Sequence, residues 1–367
     1  MTGPSAQRFL DRFLPAEERA DALWIAGAGA GLWVAKALVY QQLLGLTTRF
    51  VRSPRAEELG FPLRATAIAD VAWGAVAALL VWGLLRYTRA PKAVALFILL
   101  AGVLGGLVTA GNRVALDVVQ LLASSGYQRT IWSDLQPLML TLAEAVGVVL
   151  GAWMAGASPE ARAIGLDVPA VDVGGDGAED RDPLVDGGTL LPALGLGTRP
   201  LVPATRMAIA FAGAVSLSQL IWLTVMFAPQ ARTTVLYAHG GNTAGRISLA
   251  LAVLAAVAWA ASPGLVTYWA IKRLGAPHSV WIAFPAIAIA PVVTILRTLP
   301  AMIERTLSVT LLDWTFVLAQ VGSVVLSVVV LTLSPLLGVW LATRTSPPSA
   351  TLPAEETDHA DAGGTDG

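Results

Sequence analysis

Apolar residues in this chain do not recur every third or fourth position; they run on. Eight stretches, near 22–46, 65–85, 93–112, 137–157, 206–228, 247–271, 280–300 and 314–342, are almost unbroken apolar sequence. Each reaches the roughly 20 residues a helix needs to cross hydrocarbon. A helix of a soluble core keeps one polar face, and these keep none. The expected fold is all-α: a polytopic integral membrane protein with eight transmembrane helices. Tryptophans such as Trp24, Trp82, Trp153, Trp269 and Trp340 stand near the ends of these runs, where an aromatic belt belongs.

The material between the runs divides the chain further. Residues 1–21 form a polar, charged lead, so the first run reads as a retained helix rather than a cleaved signal. Within the lead, Phe9, Leu10, Phe13 and Leu14 alternate with Arg8, Asp11 and Arg12, which suits a short helix in the headgroup layer ending at Pro15. Ser53-Pro54 reads as the capped start of a short outer helix. Residues 158–205 carry eight acidic side chains among many glycines and prolines and read as a flexible linker. The tail, 344–367, has the same character.

The linker leaves two sets of four spans, 22–157 and 206–343, and the sets echo each other. Trp82-Gly-Leu-Leu-Arg-Tyr-Thr-Arg-Ala-Pro91 resembles Trp269-Ala-Ile-Lys-Arg-Leu-Gly-Ala-Pro277, and Leu142-Ala-Glu-Ala resembles Leu318-Ala-Gln-Val. Asp134 and Asp313 each come just before the last span of a set. Echoes in the same order favour duplication. Four spans is an even number, so two parallel four-helix repeats, related by an axis along the membrane normal, are expected.

Positive charge in the connections sets orientation. With the amino terminus inside, thirteen Lys and Arg residues fall on the cytoplasmic side and ten outside, so the short loops decide. Arg86 to Lys92 and Lys272 to His278 are dense in positive charge. Both termini are therefore expected in the cytoplasm of a cell-membrane protein. Arg49, Arg52, Arg55 and Arg64, clustered in the first outer loop, pull the other way.

Composition narrows the chemistry. Of 367 residues, 55% are hydrophobic and 13% charged, with mean hydropathy +0.67. There is no cysteine, which excludes disulfides, thiolate metal sites and cysteine nucleophiles. A net charge of −1 offers nothing to nucleic acid. His239, His278 and His359 fall in loops or the tail, so no haem or other metal site is expected within the bilayer. Gly240-Gly-Asn-Thr-Ala-Gly245-Arg246-Ile247 has the glycine spacing of a phosphate loop but lacks its lysine and hydroxyl residue. No cofactor is implied.

What stands out is charge inside apolar runs. Lys36 lies twelve residues after Trp24 and ten before Leu46, about 15 Å from either face. An unpaired lysine at that depth costs roughly 2.5–3.5 kcal/mol on insertion scales, so it needs a partner. Glu144 in the fourth run and Asp70 in the second lie roughly 10 and 8 Å below the outer face, so Lys36 is placed to pair with Glu144, or with Asp70. At matching places in the second set stand Gln219 and Gln320, so an amide pair is expected where the first set has a charge pair. Ser262-Pro263-Gly264 in the sixth run, and Pro285 and Pro291 in the seventh, are candidate helix breaks. Gly27-xxx-Gly31, Gly102-xxx-Gly106 and Gly147-xxx-Gly151 suit close helix packing, with oligomerisation as a second use. Arg297, near the end of the seventh run, is expected to reach outer headgroups.

Three functions fit these residues. The most concrete is a small permease or transporter, moving a small solute or proton along a path lined by Lys36, Glu144, Asp70, Gln219 and Gln320. The alternative is a non-catalytic scaffold or assembly subunit whose polar pairs only hold helices together. A membrane enzyme using Asp134 and Asp313 has no supporting constellation.

Overall fold

Eight helices long and apolar enough to cross a membrane run through the computed structural model, and the described residues contain no strand. The structure describes residues 11, 13–50, 61–88, 90–123, 131–157, 203–239, 242–307 and 311–345. Most of the lead, the Ser53-Pro54 start, Gly240 and Gly241, the linker up to 202 and the tail after 345 lie outside them.

The first span is made of α1 (Ala16–Ala35), a π turn (Lys36–Tyr40) and α2 (Gln41–Phe50). The others are α3 (Phe61–Tyr87), α4 (Pro91–Ala123), α5 (Ile131–Ala157), α6 (Pro203–His239), α7 (Asn242–Leu274), α8 (Ala283–Leu307) and α9 (Leu311–Arg344). A short 3-10 turn, His278–Ile282, leads into α8. All eight predicted runs fall inside these elements, and α6 begins within the stretch expected to be linker. Pro15 caps α1, its carbonyl taking the amides of Glu18 and Arg19. At the end of α7, Gly275 adopts φ 60° and the Ala276 amide reaches back to the Ala270 carbonyl. That left-handed turn is where glycine avoids the Cβ penalty. Phe13 and Leu14, expected in the headgroup layer, are buried in the protein. The Phe13 carbonyl accepts from Trp281 Nε1, which ties the lead to the start of α8.

Two kinds of packing hold the bundle. Small residues let α3 lie on α5: a Cβ on Gly74 would sit 2.7 Å from the Ala143 carbonyl oxygen, and one on Gly151 2.5 Å from that of Ala78. The same device joins α7 to α9, where a Cβ on Gly264 would sit 2.5 Å from the Ser334 carbonyl oxygen. Elsewhere α4 packs on α6, and α8 on α1. Aromatic rings fill the centre, with Trp33, Phe97 and Phe211 edge to face at centroid distances of 5.9 and 6.0 Å. Gly147 and Gly151 thus act as expected, and Gly106 sits tight against Thr141. Gly27 and Gly31 do not, because no atom of another element lies within 4 Å of where their Cβ atoms would be.

Neither α7 nor α8 unwinds at its prolines, the candidate breaks. α7 runs unbroken through Pro263, and α8 through Pro285 and Pro291. Pro263 strips the Trp259 carbonyl of its amide partner, and the Ser262 hydroxyl donates to that oxygen at 3.0 Å. Thr267 donates to the Pro263 carbonyl at 2.6 Å, and the Gly264 amide donates to Ser334 Oγ at 3.0 Å. Neighbouring hydroxyls thus repair the backbone. Pro285 lies in the first turn of α8, where its missing amide is no loss. The departure from α geometry falls instead in the first span, at Lys36.

Candidate functional site

A π turn places one extra residue in a helical turn and leaves a carbonyl outside the regular ladder. Here it runs from Lys36 to Tyr40 and sends both side chains toward α3 and α5. Lys36 Nζ donates to Glu144 Oε2 and forms an ion pair with it. The same oxygen accepts from Trp73 Nε1 at 3.4 Å. Glu144 is buried, 5% exposed. Gly102 on α4 lies beside it, where a Cβ would make an ordinary contact with Oε1 at 3.7 Å.

Asp70 has a different partner from the one expected. Its Oδ1 accepts from the Tyr40 hydroxyl at 2.6 Å, and Gln136 Nε2 donates to that hydroxyl at 3.5 Å. Its Oδ2 is buried without a hydrogen bond among the described residues. Two acids on neighbouring helices therefore meet two donors spaced along one π turn.

Arg297 closes the back of this turn. Its guanidinium donates to the carbonyls of Ala37 and Leu38, at 3.3 and 3.1 Å. The expectation that it reaches headgroups is corrected: the irregular turn exposes carbonyls, and α8 lies alongside to supply donors.

The glutamines are not paired with each other. Gln219 Nε2 donates to Thr109 Oγ1 on α4 at 3.2 Å, since α6 packs there. Gln320 sits on α9, exposed, and lines a cavity of about 740 Å³ between α1, α8 and α9. The Lys36 side chain, 31% exposed, lines the same cavity. Lys36 thus has one end of its interactions in the sealed α3–α5 crossing and its free side toward an open space. Glu144, Asp70 and Lys36 are brought together; Gln219 is not part of this group. Pro291 also lines the cavity, though as part of a continuous helix.

Sequence reasoning missed Tyr40, Trp73 and Gln136, and gave Arg297 a different partner. The first two are aromatic residues within apolar runs, where they read as packing. Gln136 and Arg297 sit near span ends, where they read as surface. No group of His, Asp and Glu suited to a metal ion occurs among the described residues. No known family, curated protein or solved structure matches this chain.

Proposed function

We propose that this protein is a small permease, with Lys36 and Glu144 as the polar site that couples solute movement to a proton. The observation that carries this reading is the position of Lys36, bonded to a buried acid on one side and lining a cavity on the other. A charge pair that only fastened helices would gain nothing from access to open space. Ionisable groups inside a span mark transport paths when they are both paired and reachable. Glu144 has a second donor in Trp73.

A duplicated architecture belongs to the same proposal. Buried positions of α1 recur 186 residues later in α6: Ala22 with Ala208, Ile25 with Phe211, Ala26 with Ala212, Ala28 with Ala214. The same interval takes Pro91 to Pro277 and Val94 to Val280. Contacts exchange accordingly, α4 on α6 answering α8 on α1, and α3 on α5 answering α7 on α9. These features support two parallel repeats about a two-fold axis along the membrane normal. In this register Lys36 corresponds to Trp222 in the other copy and not to a glutamine, so one copy alone carries the charge pair. The loops at 86–92 and 272–278 then share one face, which supports both termini in the cytoplasm.

The test is proton movement. Wild-type and Glu144→Gln protein are reconstituted at equal density into vesicles holding a pH-sensitive dye, and a potassium diffusion potential is imposed with valinomycin. Wild-type vesicles should acidify faster than protein-free ones, and the variant should not. Equal rates for the two proteins would end this reading. They would favour the scaffold alternative, which the close α3–α5 and α7–α9 crossings also suit.

A further inference from the structure

We infer that the cavity between α1, α8 and α9 binds an amphipathic monoanion, a long-chain carboxylate, with its head at Lys36 and Gln320 and its chain along the apolar wall. This inference rests on the permease reading of the same site and names the class of its substrate. At about 740 Å³ the cavity is the size of a pocket for one organic ligand. Its walls are mostly apolar, Ile287, Ile295, Met302, Phe316 and Val324 among them. A small hydrophilic ion would leave those walls wetted, whereas a hydrocarbon chain covers them.

The polar groups of the lining point to the head. Lys36 is the one charged side chain among the lining residues, and no acid is among them. Thr294 and Thr298 spend their hydroxyls on their own helix, donating to the carbonyls of Ala290 and Thr294 at 2.9 and 3.0 Å. The Gln320 side-chain amide has no hydrogen bond among the described residues, although it stands in a span. Lysine has three N–H donors, and Glu144 takes one. What remains, with the lysine's charge shared with Glu144, is two ammonium N–H groups and an amide, all donors, facing one apolar space. A carboxylate accepts from both, and charge-assisted bonds of this kind are strong where water is scarce. The site also opens toward lipid, since the flanking Phe316 and Leu296 are exposed, 57% and 62%. An amphiphile can enter sideways from the bilayer.

The absence of cysteine makes the test clean, because a single introduced thiol reports alone. Thr298→Cys places one in the cavity wall, and Leu254→Cys places one on the exposed face of α7. Each protein, in phosphatidylcholine nanodiscs, is alkylated with N-ethylmaleimide in the presence of oleate, oleyl alcohol or added phosphatidylglycerol. Oleate should slow alkylation of Thr298→Cys by about fivefold or more, worth about 1 kcal/mol of preference, and leave Leu254→Cys unchanged. Oleyl alcohol should protect far less. Adding Lys36→Met should abolish the difference; should that variant fail to fold, Gln320→Leu, at an exposed position, should still reduce it. Protection by phosphatidylglycerol alone would overturn a free carboxylate in favour of a lipid headgroup. Equal protection by acid and alcohol would overturn the inference, as would Gln320→Cys chains forming disulfide dimers, which would put a second copy over the cavity. If oleate protects while Glu144→Gln moves protons normally, the coupling reading fails and the binding site stands.

Discussion

At the scale of single residues, the decisive pair is Lys36 with Glu144. A charge left alone in a low-dielectric interior costs more than the pair itself contributes, so removing one partner is worse than removing both. Lys36→Ala should therefore destabilise the protein by roughly 3 kcal/mol, the low end for a buried pair because the lysine is partly exposed. Adding Glu144→Gln should recover part of that loss, and thermal unfolding in detergent micelles measures both. A double variant less stable than Lys36→Ala alone would show that Glu144 is held chiefly by Trp73. That Lys36 needs an acidic partner was legible in the sequence, because lipid makes a lone mid-span lysine too costly; that the partner is Glu144 and not Asp70 is settled only by packing. Tyr40 was not legible, since a tyrosine in an apolar run carries no such penalty. Its role depends on Asp70 coming within 2.6 Å, which only the packing of the first two spans decides. Arg297 was misread for a related reason: snorkelling is the default for a span-end arginine, and the exposed carbonyls that redirect it arise from a π turn with no sign in the sequence.

Elements were legible in kind and misjudged in detail. Apolar length alone predicts eight spans, but proline predicts breaks only when nothing repairs the freed carbonyl, and Ser262 does so at Pro263. Glycine spacing likewise predicts close approach without saying which helix approaches. Gly147→Val should cost about 1–3 kcal/mol, since its Cβ would meet the Gly74 backbone, which cannot swing aside. Gly27→Ala, with no neighbour within 4 Å, should instead be neutral or stabilise by roughly 0.5–1 kcal/mol. Melting temperatures of the two variants check the contrast, and equal losses would refute the crossing. The π turn has its own test. Deleting Leu38, whose side chain is exposed, removes the extra residue and restores a plain helix. Lys36 and Tyr40 then stand three residues apart on a plain helix, about 300° round, instead of four apart on the widened turn, so they can no longer both face their acids. The deletion should insert normally in the membrane yet lose the proton uptake expected of the wild type. Retained uptake would show that the widened turn is incidental to the site.

For the molecule as a whole, the pattern of contacts says more than the number of spans. Had the two sets of four helices been independent bundles, their contacts would stay within each set. Instead α4 lies on α6 and α1 on α8, so each half completes the other, and the cavity itself is walled by α1 from the first half with α8 and α9 from the second. The ends of the chain segment between the halves, Ala157 and Pro203, are both at helix termini, so a cut between them removes no described contact. Residues 1–180 and 181–367 expressed as separate chains should therefore associate in the membrane, and a tag on one should retain the other through detergent extraction. Association should depend on the shared surfaces: Phe97 and Phe211, edge to face across α4 and α6, are fully buried, and replacing Phe211 by Ala removes a ring from that seam. Losing such a ring costs about 3–5 kcal/mol in a packed core, enough to weaken capture of the split halves while the intact chain, whose halves are tethered, still folds. Halves that fail to copurify without any substitution would mean that covalent connection, rather than the α4–α6 and α1–α8 surfaces, holds the two sets together.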